Sequence, residues 1–404
     1  MTKSFVLLIA LCPLVAIAQD ATLVAPTASL PPEEQRQKFH LPPGFEIQLV
    51  VAEPAIGQPM NIQFDAAGRL WVTSSIEYPY PADGPGVEAR DENFAGSDEP
   101  HAPRDTVTVI AGIGADGKPQ SVTKFVEGLN IPIGVLPLTN GAIVYGIPAV
   151  DRHVDNDGDG VADERTTLLT GFGNVDTHGM VNGLRRWIDG FVYACHGFRN
   201  TSHVKGVDGR EITMNSGNTF RFRPDGTQLE QFTWGEVNPF GLTFDPLGNL
   251  YNADCHSRPL TLLLRGAYYQ SFGKPHNGLG FGPEMIDHSH GSTGICGPAY
   301  YAATHFPLEY RDNLFLCNPV TGRVHRDKLV WTGSSPMADT QPDFLTCDDP
   351  WFRPVDLTVG PDGALYVADF HNAVIGHYEV PLGHPKRDRT TGRIWRVVYV
   401  GENG

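Results

Sequence analysis

The chain has 404 residues, a formal charge of −16, 45 Gly and 33 Pro. With no cluster of Lys or Arg, that balance argues against polyanions such as nucleic acid as partners. So many turn formers without a long helical period predict an all-β chain of short strands joined by tight turns.

The first segment reads as an export signal over residues 1–18. Lys3 supplies a positive start, Phe5 to Ala18 is apolar, and Ala16-Ile17-Ala18 has the small-x-small pattern at which such signals are cut. The run contains Pro13 and falls short of the roughly 20 apolar residues of a membrane span. The expected destination is periplasmic or extracellular, and no later stretch is apolar enough to span a bilayer. Residues 19–38 form an N-terminal arm ahead of the first repeat. Beyond the signal lie Cys195, Cys255, Cys296, Cys317 and Cys347, an odd set that leaves at least one thiol without an intramolecular partner. Cys296 and Cys317 flank a predicted hairpin and are the best candidates for a disulfide. No CxxC or CxxCH occurs, which excludes zinc ribbons and attached haem.

From residue 39 one phrase recurs: Pro-x-small, an apolar strand, a Gly-containing turn, and a second strand ending in a polar group. Pro59-Met60-Asn61 turns at Gly68 and resumes as Leu70-Trp71-Val72. Further copies turn at Gly141, Gly190, Gly248, near Asn313 and at Gly363. Six units of roughly 59 residues, each holding about four short strands, have the size of propeller blades. This predicts a single six-bladed β-propeller over residues 39–400. The last unit, ending in Gly392 to Tyr399, is one strand short, and Phe45 to Ala52 has no blade in front of it. The N-terminal strand is therefore expected to complete blade 6 and remove an open sheet edge.

Two loops stand out. In Asp155-Asn156-Asp157-Gly158-Asp159-Gly160-Val161-Ala162-Asp163, carboxylates at positions 1, 3, 5 and 9, the Val161 carbonyl at 7 and Gly at 6 form the oxygen set that Ca2+ prefers. The loop should join the third and fourth strands of blade 2, on the face opposite the funnel mouth, as a structural calcium site. The polar insertion from Ser74 to Arg104 leaves blade 1 above the mouth and reads as a lid.

Propeller geometry places residues just before each first strand and just after each second strand on one face. This gathers His178, Asn182, Asn238, His290 and Arg353 from the approaches. Glu77, His196, Arg199, Asp254, His256, Arg258, Asp369 and His371 come from the exits.

The motifs DTHGMVNGLRRWIDGFVYACHG, SGNTFRFRPDG, NPFGLTFDPLGNLYNADCHSRP and LLRGAYYQSFGKPH, with DDPWFRPVDLTVGPDGALYVADFHNAVIGHYEV towards the C-terminus, carry a resemblance. Over residues 40–400 the chain resembles the membrane-bound dehydrogenase-type propellers of planctomycetes and their relatives. More distantly it is similar to soluble glucose and sorbosone dehydrogenases, which use pyrroloquinoline quinone. The resemblance implies oxidation of a sugar or a related alcohol or aldehyde, with electrons passed to a separate acceptor such as a cytochrome c. It makes His178 the base that takes the hydroxyl proton, with Asp176 orienting it; imidazole suits the task because its pKa lies near neutrality. Where those enzymes carry Arg-Asn-Pro, this chain has Val237-Asn238-Pro239, so one cation for the anionic quinone is missing. Asn238, Arg258, Arg353, His256, His290 and His371 are the candidates to line the cofactor site, with Arg199 and Lys274 as further cations. Two other readings stand beside this one. A lactonase-like hydrolase would hold one cation through Asn61, Asn182 and Asp356, and a non-catalytic propeller would bind glycan or protein in its funnel.

Overall fold

Six antiparallel sheets, each a meander of short strands, form the body of the chain in a computed structural model that describes residues 23–83, 100–271, 282–376, 380 and 383–401. The signal segment, the middle of the Ser74–Arg104 insertion and Lys274 lie outside the described residues. Blade 1 comprises Gln58–Phe64, Leu70–Ser75, Asp105–Ala111 and Ser121–Leu129. Blade 2 comprises Gly134–Leu138, Gly141–Gly146, Ala149–Val154 and Glu164–Thr170, and the hairpin Thr201–Gly206/Glu211–Asn215 extends its outer edge. Blade 3 runs from Asn182–Arg186 to Glu230–Trp234, and blade 4 has three strands among the described residues, Pro239–Phe244, Leu250–Asp254 and Thr261–Leu263.

Blade 5 begins with Cys296–Tyr301, Asn313–Asn318 and Arg323–Thr332, and Leu345–Cys347 and Phe39–His40 add to its outer side. Blade 6 is Pro354–Val359, Leu365–Asp369 and Arg393–Tyr399, completed by Phe45–Ala52 as the sequence predicts. That closing strand pairs antiparallel with the C-terminal one from Phe45 opposite Tyr399 to Ala52 opposite Arg393. Phe45 then packs edge-on against Phe306, Tyr310 and Phe344 of blade 5, so one strand locks two blades together.

The ring closes on its axis through glycine. The first strands of blades 3, 4, 5 and 6 carry a bulge near their start, at Asn182/Arg185, Pro239/Leu242, Cys296/Ala299 and Pro354/Asp356. At that bulge Gly183, Gly241 and Gly297 have φ of 66°, 92° and 53°. A Cβ on Gly183 would stand 3.0 Å from the Gly241 Cα, and one on Gly241 3.0 Å from the Gly297 Cα. In blades 3, 4 and 5 the inner strands meet backbone to backbone, which only Gly permits without strain, whereas blades 1 and 6 carry the polar Asn61 and Asp356 at the third position of the phrase.

The hairpin expected to bring Cys296 and Cys317 together exists, and the two residues face each other across the strands. They do not form the expected disulfide. Cys296 Sγ faces the carbonyl of Cys317 at 4.0 Å, and all five described cysteines are free thiols. The N-terminal arm packs on the ring. Val24 bridges Val374, and Leu23 and Ala25 bury against Trp351 and Ala373. The short helix Pro32–Arg36 turns Gln35 inward, where it bonds Asp369 and Arg393.

Candidate functional site

Above the glycine layer lies a cavity of about 180 Å3 on the propeller axis. Met60, Ile133, Phe240, Cys296 and Val355 reach it from the inner strands or approaches of five blades, and blade 3 contributes the Asp176–His178 segment. Tyr78, at the root of the predicted lid, and Phe370 close its sides, with ring centres 5.6 Å apart.

The Asp176–Gly179 turn is built rigidly. Asn200, fully buried, accepts the Asp176 N–H at 3.0 Å and donates to the carbonyls of Asp176 and Gly179 at 2.8 and 2.9 Å. Gly179 sits so close to Phe198 that a Cβ would fall 2.2 Å from its carbonyl oxygen. Within this frame Asp176 Oδ1 accepts the backbone N–H of His178 at 2.9 Å and lies 3.5 Å from His178 Nδ1. Asp176 is 2% exposed, whereas the His178 side chain retains 19% exposure and packs edge-on against Tyr78 at 5.1 Å. A buried carboxylate thus lies beside one ring nitrogen of an imidazole that faces the cavity. Asn200 was not singled out from the sequence, because a single Asn in a loop carries no signal of the carbonyls it will meet.

Asn238 also reaches the cavity wall, but its amide is occupied. It donates to the His178 carbonyl at 3.1 Å and accepts from the Phe198 N–H at 3.1 Å. It ties the His178 backbone to the Phe198 segment. Cys255 lines the same wall; burial pushes its thiol well above the usual range, so it remains protonated and is no nucleophile. His256, exposed beside Phe198, borders both this cavity and a larger polar groove of about 890 Å3. The groove runs between blades 4, 5 and 6, and Leu23 of the arm forms part of its wall.

The other predicted cofactor contacts are not brought to the axial cavity. Arg353 is 2% exposed and spends its guanidinium on the carbonyls of Asn372, Pro319 and Val320, stitching blade 5 to blade 6. Arg258 pairs with Glu284 at 3.0 Å on the blade 4 rim. His290 is bonded to Asp327 at 2.8 Å and stacked on His325. His371 is fully buried between Ser29 and Gln35 of the arm, at 2.8 and 3.2 Å. Backbone carbonyls hold Arg353, the arm holds His371, and the carboxylates of Glu284 and Asp327 hold Arg258 and His290.

The exit aspartates have a shared structural task as well. Asp254 accepts the N–H groups of Val237, Asn238 and His256, and Asp369 those of Arg353 and His371, clipping each approach segment to its neighbouring exit. Asn61, Asn182 and Asp356 lie at the inner strands, where Asn61 Oδ1 and Asp356 Oδ1 are buried without a hydrogen-bond partner among the described residues. Asn61 donates to Asp356, while Asn182 bonds the Met180 and Pro239 carbonyls and the Gly241 N–H.

On the opposite face, Asp155–Asp163 joins the third and fourth strands of blade 2 as expected, and Asp155 N–H bonds Asn140 beside the turn between the first two strands. Carboxylate oxygens of Asp155, Asp157 and Asp159 lie within 4.8 Å of one another. Asp163 instead accepts the Asn156 N–H at 2.7 Å, and Val161 is exposed.

The sequence profile of a domain of unknown function, DUF7133, matches residues 31–401. The chain belongs to the DUF7133 family. No curated protein is matched. Several solved structures share the propeller fold of this DUF7133 chain. A glucose dehydrogenase-type oxidoreductase from Thermus thermophilus is 15% identical, with TM-score 0.57 over 88% of this chain and 100% of that one. The PQQ-bound aldose sugar dehydrogenase of Streptomyces coelicolor is 16% identical, with TM-score 0.54 over 89% and 99%. The holo PQQ domain of pyranose dehydrogenase from Coprinopsis cinerea is 14% identical, with TM-score 0.53 over 93% and 99%. At these identities the likeness establishes the shared propeller fold, on which site chemistry varies independently.

Proposed function

We propose that this DUF7133 protein is an exported oxidoreductase that oxidises an alcohol or aldehyde, of about the size of one sugar ring, in the axial cavity. The observation that carries this reading is the Asp176–His178 pair on the cavity wall, a rigidly framed imidazole with a buried carboxylate 3.5 Å from Nδ1. His178 takes the hydroxyl proton of the alcohol, or of the hydrate of the aldehyde, as the carbonyl forms. Asp176 stabilises the imidazolium that results, and the apolar walls exclude water from the reacting carbon. The hydride leaves to a two-electron acceptor of the quinone type supplied from outside the chain, which can then pass its electrons singly to a partner such as a cytochrome c.

Pyrroloquinoline quinone, a tricarboxylate, does not fit the described lining. The cavity offers Arg387 as its one arginine, and that guanidinium already donates to the Gly376 and Val380 carbonyls. The polar groove adds Arg323 and Arg353 but sets Asp254, Asp348 and Asp349 among them. Several converging cations are needed to hold such an anion, and the described lining does not supply them.

Calcium in the Asp155–Asp163 loop belongs to the same proposal. Three convergent carboxylates suit a hard cation, which would brace the blade 2 hairpin and take no part in the chemistry at the other face.

Dye-linked turnover by protein purified from an exporting host, tested on aldoses, polyols and simple alcohols and aldehydes, checks the reading. Reduction of the dye with at least one substrate is expected. Saturable ligand binding with no turnover on any of them would favour the non-catalytic propeller, for which the 890 Å3 groove provides the surface.

A further inference from the structure

The axial cavity has walls unlike those of a sugar site. Phe198, Phe240, Phe370, Ile133, Met60 and Val355 enclose most of it. Several of its polar groups are already bonded within the protein: Asn238 to His178 and Phe198, Thr177 Oγ1 to the Pro79 carbonyl at 2.9 Å, and Asp176 to the His178 N–H. The remaining polar lining is formed by the two imidazoles, His178 and His256, with Tyr78, Thr293 and Arg387. A free aldose would carry a full set of ring hydroxyls into this space. Each hydroxyl buried without a partner weakens binding by roughly ten-fold, and four of them would abolish a measurable complex.

Size points the same way. An apolar cavity of about 150 Å3 in another protein is enough to bind benzene, and this one has about 180 Å3. It continues into the polar groove across Cys255, His256, Thr293 and Val320, which border both spaces. The groove walls add Ser289, Thr321, Asp348 and Asp349, groups suited to hydroxyls.

We infer that the cavity takes a single aromatic ring bearing one hydroxymethyl or aldehyde group directed at His178, with any polar substituent of the ring projecting into the groove. The substrate class is thus an aryl alcohol or aldehyde rather than a free sugar. This rests on the proposed oxidoreductase reading for what happens to the ligand, but not for its binding.

Binding of benzyl alcohol and of D-glucose, measured by calorimetry and ligand-observed NMR on the full chain without any electron acceptor, tests the inference. Benzyl alcohol should bind, D-glucose should not compete with it, and Phe240→Ser should weaken binding by roughly ten-fold or more through the polar group placed on the wall. Val355→Thr, which keeps the shape and adds one hydroxyl, serves the same purpose if Phe240→Ser fails to fold. Glucose binding at least as tight as benzyl alcohol, or benzyl alcohol affinity unchanged in the folded variant, would overturn the inference. Aryl binding without turnover would remove the oxidoreductase reading alone, and turnover of aldoses only would remove this inference alone.

Discussion

At the scale of single residues, the tightest constraint lies where the blades meet. Gly241 has φ of 92°, and a Cβ there would stand 2.5 Å from Pro298 Cδ as well as 3.0 Å from the Gly297 Cα. Gly241→Ala must therefore shift a proline ring and a neighbouring backbone while occupying a conformation disfavoured for alanine. A loss of about 2 kcal/mol or more in denaturant unfolding is expected; an unchanged midpoint would show that the inner strands can separate freely.

Asp343 supplies a pH-dependent contact. The hydrogen bond from His325 Nδ1 at 2.6 Å, joined by Arg323 at 2.6 Å, holds its carboxyl down to about 2 from an ordinary 3.8. A depressed carboxylate stabilises the fold above its unfolded pKa, and that contribution is lost as pH falls through the folded value. Asp343 keeps a quarter of its surface, so solvent screening limits the effect to about 1–2 kcal/mol. Asp343→Asn should lower stability at pH 5 and flatten its fall between pH 4 and 2. A variant whose acid limb matches that of the parent would contradict the assignment.

His178 and Asp176 were picked out by the resemblance of their segment to that of the sugar dehydrogenases, and the structure brings the two side chains within 3.5 Å. Arg353 and His371 were legible only as residues on the correct face. Their partners are carbonyls of Pro319, Val320 and Asn372, and Ser29 and Gln35 of an arm more than 300 positions away, which no local pattern encodes.

At the scale of elements, the strand Phe45–Ala52 carries the closure of the ring. It buries Phe45, Ile47, Val50 and Val51, side chains worth about 1.5–3 kcal/mol each, and covers the last sheet edge. Deleting residues 39–53 should convert soluble monomer into aggregate, judged by size-exclusion chromatography of the expressed protein. A monomer with an ordinary melting temperature would refute closure by this strand. Its place was readable because it matched the last strand of a blade with no blade before it. The arm was not readable as a packed element, since its contacts come from a short helix and one isolated bridge.

The Asp155–Asp163 loop gives the second prediction at this scale. Calcium should raise the melting temperature of the parent protein, chelator should reverse the gain, and Asp157→Ala should remove most of it without altering ligand binding at the opposite face. A parent that melts identically with calcium and with chelator would eliminate the site.

At the scale of the whole molecule, the repeated Pro-x-small phrase and its Gly turns specify six blades because each strand pair needs the same turn and the same close approach to the axis. The fold was therefore largely written in the chain. The character of the site was not, since an axial cavity takes its lining from approach segments scattered over the full length, and its apolar walls arise from Met60, Ile133, Phe240 and Val355 only once the ring has closed. Departures from four-stranded blades, such as the blade 3 hairpin that joins blade 2, were likewise invisible locally because the pairing crosses between repeats.

The account stands most directly on His178 as a base in the axial cavity. His178→Gln keeps a similar size and a hydrogen-bonding group but cannot accept the proton. In the dye-linked assay with a substrate that the parent protein oxidises, kcat should fall about a hundred-fold or more with little change in melting temperature. A folded His178→Gln variant that retains full kcat would contradict the account.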